Sequence, residues 1–150
     1  MQYQRFGGRY IVRLESGEAV IETLTGLLQA EGVQFASVSA IGAVRRAQLG
    51  YWNAATGEYE FRDFEEQMEV VSFGGNCSLK GGKPFLHIHC VLGRRDFSVI
   101  AGHLKEAEVH PTLEVWLRTE QSPVRRARDS ESGLDLLDLP EKPHGQGEAR

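Results

Sequence analysis

The run Pro84-Phe85-Leu86-His87-Ile88-His89 and, fourteen residues after His89, the triplet Gly102-His103-Leu104 carry the side chains of this sequence best suited to chemistry. If residues 85–92 form a strand, His87 and His89 share a face, because side chains alternate with period two, and they lie about 7 Å apart along the backbone. His103 follows a β-prone stretch and a glycine, which lets the chain turn back toward the pair. Neutral imidazole nitrogen is a good zinc ligand, and three of them with one open position can hold a water or an anion. The spacing points to a metal site on His87, His89 and His103, with zinc as the ion. The alternative is a hydrogen-bonded cluster of imidazoles supporting the turn at Gly102. Glu114 is a candidate fourth ligand, or a carboxylate that orients a ligating histidine; a surface or interface carboxylate is the competing reading. His110 precedes Pro111 and is expected at the surface, and His144 is expected to be inert in a tail.

Other chemistry finds little footing. Gly81-Gly82 is too short for a phosphate loop, no nucleotide fingerprint follows a strand, and no Ser-His-Asp spacing is legible. Glu65, Glu66 and Glu69 offer carboxylates that sequence does not place. A binding protein is therefore favoured over an enzyme. A zinc-dependent lyase or hydrolase on a small anionic substrate is the reading an open coordination position would support, with Arg94 and Arg95 as anion or nucleic-acid contacts. Arg45-Arg46 and Arg125-Arg126 with Arg128 are further basic spots, but the net charge of −4 argues against phosphate neutralisation along nucleic acid. Cys77 and Cys90 lack metal-type spacing and read as free thiols; Cys90 runs in phase with Leu86, Ile88 and Leu92, hence toward a core. No apolar run is long enough to span a membrane, and Met1-Gln2-Tyr3-Gln4-Arg5 is no signal-peptide core, so a cytoplasmic location is expected.

The elements that must position the histidines follow from periodicity. Residues 8–14 read as a strand. Ser16 is a candidate N-cap for a helix whose Val20, Leu24, Leu27 and Leu28 form one apolar stripe, with Gly32 as its stop. Residues 35–51 are strand-like, bent or bulged at Gly42. Tyr59 and Phe61 open another strand, and Met68, Val70 and Val71 a further one, expected to end at Gly74-Gly75-Asn76 before a short strand at Cys77–Leu79. Lys80-Gly81-Gly82-Lys83 is a hairpin turn into the histidine strand. Phe97–Ala101 and Thr112–Arg118 read as two strands, the second with Pro111 near its start. Leu134, Leu136, Leu137 and Leu139 are expected to dock a last segment, leaving 1–139 as one domain and 140–150 as a disordered tail. Many strands and one main helix give an α+β fold with a mostly antiparallel sheet.

Four segments in this order resemble one family: Ser39-Ala40-Ile41-Gly42-Ala43, Met68-Glu69-Val70-Val71-Ser72-Phe73-Gly74-Gly75-Asn76, the histidine strand from Pro84, and Gly102-His103-Leu104 with Thr112-Leu113-Glu114-Val115. The family is the plants-and-prokaryotes-conserved (PPC) domain, also called PD1-like or AT-hook-associated, and the resemblance covers roughly residues 5–120. It implies a twisted, mainly antiparallel sheet with a helix, assembled as a homotrimer, with Tyr51, Trp52 and Trp116 near a subunit interface or in the core. Its bacterial stand-alone members imply a zinc-binding trimer with a regulatory or ligand-binding role. The family's name implies DNA binding. Plant members use an Arg-Gly-Arg-Pro hook, absent here, and a Gly-Arg-Phe-Glu-Ile-Leu segment that aligns with Glu66-Gln67-Met68-Glu69-Val70-Val71, where Glu-Gln replaces Gly-Arg. Both departures weaken transfer of the plant role.

Overall fold

Alternation sets the sheet against its core most plainly in Arg9–Glu15, where Tyr10, Val12 and Leu14 are buried and the residues between them are exposed. A computed structural model describes residues 1–140 of the chain. The elements are β1 (Gln2–Phe6), β2 (Arg9–Glu15), α1 (Val20–Ala30), β3 (Ala36–Asn53), β4 (Glu58–Phe64), β5 (Met68–Lys80), β6 (Lys83–Gly93), β7 (Val99–Thr119), β8 (Arg125–Arg128) and β9 (Asp135–Asp138). All pairings are antiparallel except that of β8 with β5. The α+β class read from periodicity is therefore the observed one.

Two long strands give the sheet its shape. The outer half of β7 pairs with β2 and β3, while its beginning pairs with β6, and β6 pairs through β5 back to β3. Thus β3, β5, β6 and β7 close on themselves. Such closure requires β3 and β7 to bend, and the bends lie at bulges. The β3–β7 register shifts after Gly42 and again before Arg46 and Leu49. Gly42 has φ 144°, and a Cβ there would overlap the carbonyl oxygen of Thr112. Pro111 falls in the same irregular stretch, between Val109 opposite Val44 and Leu113 opposite Gly42, so its missing N–H breaks no ladder.

Helix α1 buries Val20, Leu24, Leu27 and Leu28, the stripe its spacing predicts, against β6 and β7. Its start differs from expectation. The N-cap is Ala19, which has no side chain to cap with. The Glu106 carboxylate of β7 takes that role, accepting from the Ile21 N–H at 2.7 Å and the Glu22 N–H at 3.1 Å. Ser16 instead pairs its Oγ with Nδ1 of His110, 2.8 Å away on the surface.

Three strand boundaries also change. Gly74-Gly75-Asn76 does not end a strand but lies inside β5, with Cys77–Leu79 its continuation. The strands expected at 97–101 and 112–118 are the two ends of β7, preceded by a turn in which Phe97 takes φ 63°. β1 has no counterpart among the expected strands, because all five of its residues are exposed and show no alternation. Cys77 and Cys90 are buried free thiols, and burial pushes both up to about 11. None of Leu134, Leu136, Leu137 and Leu139 is buried; they belong to or flank β9, which pairs with β8. The tail expected over residues 140–150 lies outside the described residues apart from Pro140, as does His144. No helix among the described residues is long and apolar enough to cross a membrane.

Candidate metal centre

Strand β6 alternates cleanly: Leu86, Ile88 and Cys90 enter the core, so His87 and His89 stand on the opposite face. The turn after Gly93 returns the chain as β7, and its register sets His103 directly opposite His89. Residues directly opposite in a sheet share a face. The three imidazoles therefore meet, with ring centroids 5.2, 5.2 and 5.5 Å apart. One ligand atom from each lies within 4.8 Å of the others. Beneath them the backbones of β5 and β6 approach closely. Gly75 faces Ile88, and a Cβ at Gly75 would overlap the carbonyl oxygen of His87.

The protonation of His87 and His103 suits metal ligation. Burial pushes His103 down to about 4, helped by the neighbouring His87, His89, Lys105 and Arg126. Burial, then Arg126 and His89, also lowers His87. Both rings are neutral near pH 7, with lone pairs free to bind. Nδ1 of His103 is buried without a hydrogen-bond partner among the described residues, which is costly unless something occupies the site. Three converging imidazoles, one of them with an orphaned buried nitrogen, fit a divalent transition metal, which would act there as a Lewis acid toward water or an oxyanion.

The other sequence candidates lie elsewhere. Glu114 is exposed on β7 between Arg13 of β2 and Ile41 of β3. The exposed row one step along the strand runs Ile11–Trp116–Ser39–Gly74–His89, so three strand spacings, roughly 14 Å, separate β7 at that level from the histidines. Glu114 is thus no ligand of the site within its own chain. Arg94 is bound to Glu66 at 2.7 Å, and Arg95 is exposed beside it in the β6–β7 turn, away from the imidazoles. Arg45 and Arg46 both pair with the buried Glu108.

A different arginine reaches the site. The β8–β9 arm lies along the edge of β5 and brings Arg126 into the hollow beside His87 and His103. Its Nε donates to Ser78 Oγ at 2.7 Å, Nη1 to the Asp135 carbonyl at 2.7 Å and Nη2 to Asn76 Oδ1 at 3.0 Å. Tyr59 packs on His103 with ring centroids 4.9 Å apart, and Trp52 packs on Tyr59 at 5.1 Å. Local pattern shows Arg126 only as one of several basic residues. What selects it is the parallel pairing of β8 with β5, which no periodicity records.

Solved structures share this arrangement of strands. A candidate DNA-binding protein from Bacteroides thetaiotaomicron is 29% identical, with a TM-score of 0.88, over 91% of this chain and 96% of its own. A metal-containing protein from Archaeoglobus fulgidus is 35% identical, TM-score 0.83, over 93% and 99% respectively. A plant- and prokaryote-conserved protein from Pyrococcus horikoshii is 28% identical, TM-score 0.82, over 94% and 96%. No curated protein matches the chain. The family model of the Plants and Prokaryotes Conserved (PCC) domain matches residues 1–120, the span that holds the closed sheet, the helix and all three imidazoles, and the chain belongs to that family.

Proposed function

We propose that the protein is a homotrimer that binds one zinc ion per chain through His87, His89 and His103 and serves a regulatory or ligand-binding role. The observation that carries the metal is the convergence of three imidazole donors within 4.8 Å, one with an orphaned buried nitrogen. The imidazole-only donor set favours zinc, with a fourth position open to a ligand. The 35% identical Archaeoglobus protein is itself described as metal-containing. Elemental analysis of the purified, untagged protein tests the reading. About one zinc per chain is expected, falling to near zero in His103→Ala. A metal-free protein whose His103→Ala variant is equally stable would sink the metal reading, whereas a metal-free protein destabilised by that substitution would leave the cluster as a polar support for the β6–β7 pairing.

The trimer reading is supported by the exposed apolar residues of the outer sheet face, Ile11, Ile41 and Trp116, which stand uncovered in the single chain. DNA binding is the second reading, favoured by the description of the Bacteroides relative. Against it, Arg45, Arg46 and Arg94 are already paired with carboxylates. Binding to DNA that weakens steeply with salt would support it, and the lack of any mobility shift at low salt would remove it.

A further inference from the structure

The hollow that opens beside the imidazoles, about 480 Å³, has the size of a small-molecule site. Its walls include Trp52, Tyr59, Phe61 and Phe85 and, from the β8–β9 arm, Leu134 and Leu136. Into it faces a guanidinium that has no carboxylate partner among the described residues. Arg126 is held by three neutral acceptors, Ser78 Oγ, Asn76 Oδ1 and the Asp135 carbonyl, and lies over the Phe85 ring at 5.1 Å. The Asp135 carboxylate is spent on Lys80 at 2.6 Å, with Arg128 at 3.9 Å, and the remaining acid of the wall, Glu58, lies on the exposed strand β4. Lys105, without a carboxylate partner among the described residues, holds its ammonium 5.8 Å above Phe61. A half-buried arginine fixed by neutral groups keeps its charge, and three bonds leave two of its five N–H donors unused.

We propose that this hollow binds a small organic carboxylate with an aromatic or apolar body, its carboxylate shared between Arg126 and the metal and its body stacked among the aromatic walls. The inference rests on the metal reading above, since the imidazoles contribute no negative charge and a bound divalent ion would leave the hollow more positive still. Arginine is the side chain best shaped to take a carboxylate, by two parallel hydrogen bonds. The arm that supplies it begins at residue 125, beyond the 1–120 span of the family match.

Calorimetric titration of the zinc-loaded, full-length protein with benzoate and with its neutral isostere benzamide tests this. Benzoate is expected to bind at least about tenfold more tightly, the span of a charge-assisted hydrogen bond. Arg126→Gln is expected to weaken that preference while the zinc content stays unchanged. In cobalt-substituted protein, benzoate should shift the visible absorption of the metal. Equal affinity for the two compounds in the unaltered protein overturns the proposal, whatever happens to the fold of the variant. So does a preference that Arg126→Gln leaves undiminished. A protein that fails to retain zinc overturns the metal reading itself, a result read from the elemental analysis before any ligand is added.

Discussion

At the scale of single residues, the histidines carry a protonation signature as well as a ligand set. His103 is held down to about 4 and His87 is also lowered, in both cases chiefly by burial. An unfolded chain protonates its histidines near pH 6.5, so as pH falls below that value the unfolded state takes up protons before the folded one does. Stability is then complete above about pH 6.5 and declines steadily toward about 4, where His103 itself becomes charged. Chelator-treated protein should show a lower urea midpoint at about pH 5 than at about pH 7.5, and His103→Asn should flatten that dependence. An unaltered midpoint across this range would mean that the imidazoles are solvated and titrate normally. The buried Nδ1 of His103, without a hydrogen-bond partner among the described residues, is the residue-level reason to expect an ion.

At the scale of elements, the site depends on how closely β5 and β6 approach. Gly75 lies opposite Ile88, in the segment that sequence alone reads as a strand end, and the space its Cβ would need is filled by the backbone of His87 and Ile88. Backbone cannot move aside as a flexible side chain can. Gly75→Ala should therefore destabilise the protein by about 2 kcal/mol or more and reduce zinc content, because the strand that shifts carries His87 and His89. Gly26 offers the contrast. It sits on the outward side of α1, where an added Cβ would meet nothing within 4 Å. Gly26→Ala should stabilise the protein by roughly 0.5–1 kcal/mol through helix propensity alone and leave zinc binding unchanged. Chemical denaturation and metal content of the two variants measure the difference. The helix start follows the same logic: the Ser16 cap expected from sequence is replaced by Glu106, eighty-five residues from the Ile21 N–H it accepts. Capping here is a tertiary contact, invisible to a local motif.

At the scale of the whole molecule, the sheet has one face packed on α1 and one left open. On the open face the row Ile11–Trp116–Ser39–Gly74–His89 runs without a break from an apolar end to the histidines. Ile11 is 46% exposed, Ile41 53% and Trp116 39%, an apolar surface of the kind that marks contact with another chain. The proposed trimer should appear in light scattering at about three times the 16.7 kDa of one chain. Replacing Ile11 and Ile41 together by glutamate should shift the mass toward a monomer, since charge on an apolar contact is costly to bury. A wild-type protein that runs as a monomer would sink the trimer without touching the metal site, whose three ligands come from a single chain.

The co-facial pair His87 and His89 was legible from the sequence because strand periodicity is local: two residues apart means one face wherever the strand goes. The apolar stripe of α1, the turn at Lys80–Lys83 and the bend at Gly42 were legible for the same reason, each being a rule about neighbours in the chain. The ordered motifs between Ser39 and Val115 carried the family, and periodicity carried the α+β class. Tertiary structure alone decided the rest. The register of β6 against β7 puts His103 opposite His89, the distance across the sheet removes Glu114, and the pairing of β8 with β5 replaces Arg94 and Arg95 by Arg126 as the cation beside the imidazoles. Those choices depend on which strands meet, and strand pairing is set by burial and backbone hydrogen bonding across many intervening residues, so no window of sequence short enough to show a period contains them.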